Sequence, residues 1–224
     1  MNGYVLIDKP AGITSFGVVS RVRRLLSRAA AYKVKVGHTG TLDPFATGLM
    51  IVVVGTYCKR AVEFSKLDKV YEATLRLGAT STTGDPEGEL MPVSARQPDE
   101  GEVRAALPKF VGNITQTPPS YSAVKINGVR AYKLARQGKE VAIPARQVTI
   151  YGLELVEYKY PEVKIRAHVS SGTYIRALAQ DIGDQLSVGA YLSILRRTKV
   201  GRYELKDAVT LRDDLTLADI RLRL

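Results

Sequence analysis

Apolar and polar positions along this chain follow either a helical or an extended rhythm, and the changes of rhythm mark its elements. Tyr4–Ile7 reads as a short strand ending in the turn Asp8-Lys9-Pro10-Ala11-Gly12. Thr14 or Ser15 caps a helix running to about Arg28. Phe16, Val19, Val22, Leu25 and Leu26 recur on its inner face, with Arg21, Arg24 and Arg28 outward. Lys33–Val36 and Leu49–Val54 read as strands bracketing the loop His38–Thr47. Tyr71–Leu77 alternates, with Tyr71, Ala73, Leu75 and Leu77 on one face and Glu72, Thr74 and Arg76 on the other. Thr80–Pro98, rich in turn formers and acids, is expected to be a long surface loop.

Asp99 is placed to cap a helix through Phe110, although Pro108 counts against its full length. Tyr121–Gly128 suggests a strand ending in an Asn-Gly turn, followed by a short helix, Ala131–Gln137, stopped by Gly138. Val148–Tyr158 and Val163–Val169 form an antiparallel pair joined near Tyr160-Pro161. Tyr174–Leu186 is helical, and Ile194–Val200 is a last strand. Long antiparallel pairs with interspersed helices, rather than regular β-α-β alternation, predict an α+β fold with helices packed on one sheet.

The 224 residues suit one large domain or a domain with a small appendage, and 45% hydrophobic content is enough for a core without staples. The longest wholly apolar run, Leu49–Val54, is far short of the roughly 20 residues of a membrane span. The N-terminus has no basic stretch followed by a long apolar segment, so no signal peptide is read and a cytoplasmic location is expected. Cys58 is the only cysteine, which excludes an internal disulfide and multi-cysteine metal sites. His38 and His168 lie too far apart for a short metal motif. Net charge is +11, and from Lys9 to Leu42 there are seven Lys or Arg and no acid, which favours a polyanionic partner, nucleic acid first.

That basic stretch leads into the densest segment of the chain, Gly37-His38-Thr39-Gly40-Thr41-Leu42-Asp43-Pro44-Phe45-Ala46-Thr47-Gly48. Its three glycines and three threonines make a loop with a demanding backbone. Pro44 biases Asp43 toward an extended conformation that would fix its carboxylate. No G-x-x-x-x-G-K-[ST] pattern is present, so this is not a P-loop. From spacing alone, Asp43 is either a site carboxylate or the cap of a turn. A second segment, Ser171-Gly172-Thr173-Tyr174-Ile175-Arg176, opens a helix. There Arg176 either pairs with a carboxylate or faces water. A third, Thr117–Lys125, has a stiff Pro118-Pro119 entry and a basic end.

Taken together, these segments resemble the bacterial tRNA pseudouridine-55 synthases, the TruB family. The similar stretches are Leu6–Pro10, Gly37–Pro44, Lys69-Val70-Tyr71, Gly78–Gly88, Pro118–Lys125 with Gly128 and Tyr132, Gly172–Arg176 and Leu195-Arg196-Arg197. They occur in family order across residues 4–203. The resemblance implies the pseudouridine synthase fold, a mixed, mainly antiparallel sheet with helices and loops around a central RNA-binding cleft. It implies an isomerase that converts uridine 55 in the T-loop of tRNA to pseudouridine, extruding the target nucleotide from its stack.

Carried over residue by residue, it makes Asp43 the catalytic aspartate, Arg176 its ion-pair partner and Tyr71 a ring stacking on the uracil. Tyr174 and Leu195 become pocket-lining positions, and His38 fills the space left by extruded bases. Lys9, Arg21, Arg24, Arg28, Arg196 and Arg197 are candidate phosphate partners. Isomerisation requires no cofactor and no metal; the expected partner is the tRNA T-arm, met by a monomer without a membrane. Phe45 stands where many relatives have leucine, and Val169-Ser170-Ser171 where relatives often carry a cysteine. Family members usually continue into a small RNA-binding domain. Here residues 1–203 are expected to form the catalytic domain and 204–224 only a short tail, such as a helix Leu215–Leu222. Two other readings stay open at this point: an RNA-binding protein that retains the fold without catalysis, and the same chemistry on another RNA.

Overall fold

The computed structural model describes residues 1–126, 128–138 and 142–224. In chain order the elements begin β1 (Gly3–Lys9), α1 (Ser15–Ala30), β2 (Val36–His38), β3 (Thr47–Val54), α2 (Ala61–Ser65), β4 (Lys69–Leu77), β5 (Ala79–Ser81) and β6 (Leu90–Pro92). They continue α3 (Glu100–Ala106), β7 (Gly112–Gln116), β8 (Lys125–Ile126), β9 (Val129–Arg130), α4 (Ala131–Ala135), β10 (Arg146–Lys159) and β11 (Glu162–Val169). The last are α5 (Ile175–Gln185), β12 (Ala190–Val200), β13 (Tyr203–Glu204) and β14 (Val209–Thr210). The fold is α+β with mainly antiparallel pairing, and it falls into two compact units. The first is Met1–Tyr71 with Leu195–Leu224 and the second is Glu72–Ile194, so the chain passes from one to the other inside β4 and inside β12.

In the first unit β1 and β3 pair antiparallel along their length, from Gly3 opposite Val54 to Lys9 opposite Gly48. β14 adds parallel to β1, β2 lies antiparallel to β3, and the end of β12 runs parallel to β3 with Arg197 opposite Gly48. One sheet face is closed by a cluster of Tyr4, Leu6, Leu49, Ile51, Val53, Phe64 and Val200. Each such side chain contributes about 1.5–3 kcal/mol on burial, which makes β1 and β3 a rigid support for the loop between β2 and β3. Gly48 has φ +105, and a Cβ there would lie 2.3 Å from the Arg197 carbonyl oxygen. A side chain would push β3 and β12 apart.

Helix α1 begins where its cap was expected: Thr14 Oγ1 accepts the Gly17 N–H at 3.0 Å. Its inner face is different. Ser15, Val18, Val19, Val22 and Leu26 are buried, whereas Phe16 is 64% exposed under the Arg23 guanidinium. A polar residue therefore holds the buried position at the helix start, one step round from the phenylalanine. After Tyr203 the chain stays in the first unit as β13, β14 and a short 3-10 turn, Leu217–Asp219, instead of a helix over Leu215–Leu222.

In the second unit β10 is antiparallel to both β11 and β7. The strand β7 was not foreseen, and neither was the β5–β6 hairpin inside the expected loop Thr80–Pro98. Asp99 caps α3 through a full capping box with Glu102, and the helix tightens into a 3-10 turn at Leu107–Phe110, where Pro108 removes a donor. Helix α5 buries Ile175, Leu178, Ala179 and Ile182. The Tyr121–Gly128 strand shrinks to β8, which pairs with β9; Asn127, half of the expected Asn-Gly turn, lies outside the described residues.

Candidate functional site

The loop between β2 and β3 carries Asp43, and its backbone is anchored from three sides within the first unit. Ser15, the first residue of α1, grips Leu42 twice. Its hydroxyl donates to the Leu42 carbonyl and accepts the Leu42 N–H, both at 2.8 Å. From β12, Arg197 donates to the carbonyls of Gly40 at 3.1 Å, Thr41 at 3.5 Å and Leu49 at 2.7 Å. From the end of β1, the Lys9 ammonium donates to the carbonyls of Pro10 at 2.9 Å, Ile13 at 2.8 Å and Pro44 at 3.0 Å. Pro44 also accepts the Gly12 N–H at 2.9 Å, and the Asp43 carbonyl accepts the Ala46 N–H at 3.2 Å. Every backbone carbonyl from Gly40 to Pro44 thus has a donor. Leu42 and Ala46 are buried on either side of Asp43, which is half-buried. Asp43 does sit in a turn, closed locally by the Ala46 N–H and held from outside by Ser15, Lys9 and Arg197.

Two expected phosphate partners have other work. Lys9 is fully buried and Arg197 is 2% exposed, so their charges are spent on loop carbonyls instead of facing solvent. Arg196 pairs with Asp8 at 2.8 Å, and Arg21 with Asp213 at 2.9 Å; Arg24 and Arg28 are exposed. In the same unit, His38 ends β2 half-buried, Tyr71 lies buried in β4, and Leu195 is buried in β12 with its carbonyl accepting from Thr47 at 3.5 Å. Lys69, at the start of β4, also bonds backbone carbonyls; burial and then the Arg197 charge push its ammonium down to about 8.

The second unit holds Tyr174 and Arg176 at the start of α5. Arg176 is 3% exposed, which removes the water-facing alternative. Its guanidinium meets the Asp85 carboxylate at 3.3 Å and donates to the carbonyls of Thr83 and Tyr121, each at 2.8 Å. Asp85 is fixed in turn by the Thr83 hydroxyl at 2.6 Å and the Glu87 N–H at 3.0 Å. Tyr174 has its N–H and carbonyl bonded by the buried Gln116 amide at 2.8 and 3.1 Å, and the Arg146 guanidinium lies 4.9 Å from its ring centre. Asp85, Gln116 and Arg146 are not picked out by the sequence reading, and Ser15 enters it only as an alternative helix cap to Thr14. The available signals were an acid inside the tight Thr83-Gly84-Asp85-Pro86 turn and its place in the family-like stretch Gly78–Gly88. Among the described residues there is no group of three or more His, Cys, Asp or Glu arranged to hold a metal ion, and no helix is long and apolar enough to cross a membrane.

Comparison with known proteins shows what this arrangement belongs to. Residues 23–175 match the profile of the TruB family pseudouridylate synthase N-terminal domain, and residues 176–220 that of the tRNA pseudouridylate synthase B C-terminal domain. The chain belongs to the TruB family. It is 47% identical over 212 residues to tRNA pseudouridine synthase B of Burkholderia pseudomallei (strain 668), covering 94% of this chain and 68% of that protein. The Corynebacterium efficiens protein of the same name is 43% identical over 217 residues, covering 95% of this chain and 71% of its own length.

Among solved structures, the chain is similar to one in a crystal structure of a Cbf5-Nop10-Gar1 complex, with TM-score 0.73 and 30% identity. It is also similar to a chain in the structure of an H/ACA RNP bound to a substrate RNA containing 2'-deoxyuridine, with TM-score 0.69 and 27% identity. These cover 94% of this chain, which spans about half the length of each, 53% and 51%. Membership makes this chain a pseudouridine synthase of the TruB type, an isomerase by family. The likeness extends over both units, so the pseudouridine synthase fold is that of the whole described chain.

Proposed function

We propose that the protein isomerises uridine 55 in the T-loop of tRNA, with Asp43 as the catalytic aspartate. The observation that carries this is the bonded loop: every carbonyl from Gly40 to Pro44 has a donor, and this holds the backbone that bears the Asp43 carboxylate. A group held in place before substrate arrives saves the ordering cost that would otherwise fall on the reaction. The reaction breaks the bond between uracil N1 and ribose C1', turns the base, and joins C5 to C1'. The proton on C5 is lost and N1 gains one, so no redox partner is consumed. A carboxylate suits the electron-poor sugar carbon that forms midway, whether as nucleophile or as counter-charge.

Tyr71 is assigned to stack on the uracil and Arg176 to supply the cationic partner of the reaction. His38, Tyr174 and Leu195 are assigned to shape the binding site, and Arg24 and Arg28 to meet phosphates. Lys9, with its buried ammonium, is assigned to the support of the loop. Residues 1–203 are taken as the catalytic part. Cytoplasmic location and monomeric action belong to the same proposal, and a solution mass of one chain checks the second.

Position is tested by incubating an unmodified tRNA transcript and an isolated T-arm stem-loop with the protein, then mapping pseudouridine by carbodiimide adduct and primer extension. A single stop reporting position 55 in both is expected. Modification elsewhere, or only in a non-tRNA substrate, would overturn the substrate assignment.

A further inference from the structure

We infer that Ser15 is a positioning residue for the reaction, acting on Asp43 through the peptide that precedes it. The inference rests on the reading of Asp43 as the catalytic aspartate. Ser15 is 3% exposed and lies on the buried face of α1, whose other buried residues, Val18, Val19, Val22 and Leu26, are all apolar. A buried hydroxyl among valines costs free energy unless its bonds are made, and both are made to one residue, Leu42, at 2.8 Å. Satisfying a helix start does not require it, because Thr14 already caps α1 through Gly17. The hydroxyl therefore serves the loop and not the helix.

The geometry makes the consequence specific. Leu42 is joined directly to Asp43: the bond to its carbonyl fixes the Leu42–Asp43 peptide and the bond to its N–H fixes the Thr41–Leu42 peptide, so both peptides leading to the Asp43 Cα are held. Arg197 holds the two carbonyls before it and Lys9 the one after Asp43, so each reaches one flank of the segment. Among the described residues, Ser15 alone binds both polar groups of Leu42. Its loss would let the Leu42–Asp43 peptide rotate while the anchors on either side keep the loop in place. The carboxylate would then be misdirected within an otherwise folded protein, and misplacement of a reacting group by about 1 Å lowers rate on the order of 100-fold.

The test compares wild type, S15A, S15T and D43N in single-turnover pseudouridine formation with enzyme in excess. tRNA affinity is measured by filter binding, and the folded fraction by circular dichroism at the assay temperature. For S15A the expected result is a fall of about 10- to 100-fold in the single-turnover rate. Its tRNA affinity and folded fraction should match wild type, and S15T, which keeps the hydroxyl, should recover most of the rate. A merely structural role would move the folded fraction and leave the rate per folded molecule unchanged. S15A turning over at the wild-type rate, or folded S15A and S15T equally slow, would overturn the inference. Turnover by D43N in the same series would instead defeat the reading of Asp43 on which it rests.

Discussion

Replacing Lys9 with methionine separates two roles that the chain's basic stretch leaves open. Methionine nearly matches the lysine stem in length and removes the charge. In the structure the ammonium satisfies the carbonyls of Pro10, Ile13 and Pro44, and Pro44 retains the Gly12 N–H at 2.9 Å after the change. The loss is therefore dominated by the two remaining carbonyls. Leaving a buried acceptor without its donor costs about 1–3 kcal/mol, and the lower half of that range applies because methionine no longer carries the desolvation of a buried ammonium. K9M should thus lose about 2–4 kcal/mol of stability.

For a chain of this size that corresponds to a Tm lower by roughly 5–15 °C. Urea unfolding should show a lower midpoint at an unchanged slope. The salt dependence of tRNA binding should stay as in wild type. If Lys9 instead neutralised a phosphate, K9M would unfold at the wild-type midpoint and the log-log salt slope would fall by about 0.7–0.9. That result would place the Lys9 ammonium on the RNA and not on the loop carbonyls.

Two further substitutions probe the buried charges. In R176M the Asp85 carboxylate, 5% exposed, loses its cation, and destabilisation of about 3–5 kcal/mol is expected; adding D85N should recover part of it in thermal melts, and an unchanged melting point in R176M would contradict the pairing. Lys69 has a folded-state value lowered to about 8 from 10.5, so between those pH values the unfolded chain binds the extra proton. The stability of wild type relative to K69M should therefore rise as pH goes from 8 to 10.5, and a flat or falling difference in chemical denaturation would remove the assigned burial.

Much of the fold was legible in local rhythm. β3 is a continuous apolar run from Leu49, β4 alternates as expected except at Thr74, which is buried, and the helix starts at Thr14 and Asp99 carry residues that can bond their own first turns. What was not legible depended on partners distant in sequence. Phe16 has the hydrophobicity of an inner position, but the buried slot goes to Ser15 because Leu42, 27 residues on, supplies both of its hydrogen-bond partners. Lys9 and Arg197 look the same in composition as any RNA-facing cation; burial against carbonyls up to 157 residues away decides otherwise. β7 has a single apolar position and no rhythm to find, and its assignment comes from the ladder with β10.

The candidate site divided in the same way. Asp43 stood out through its glycine- and proline-bound loop and through resemblance to a family, which the comparisons then showed to be the chain's own. Asp85 and Gln116 did not, because an acid in a turn and a glutamine on a strand edge become informative only once Arg176 and Tyr174 are seen beside them.

Tritium release reports directly on whether Asp43 drives uridine isomerisation in tRNA. Unmodified tRNA carrying tritium at uridine carbon 5 is incubated with wild type and with D43N, whose tRNA affinity is measured in parallel. Wild type should release tritium, to an extent of one uridine per tRNA, and D43N should bind tRNA yet release none. Release by D43N at the wild-type rate would remove Asp43 from the reaction, and none by wild type would remove the isomerase activity itself.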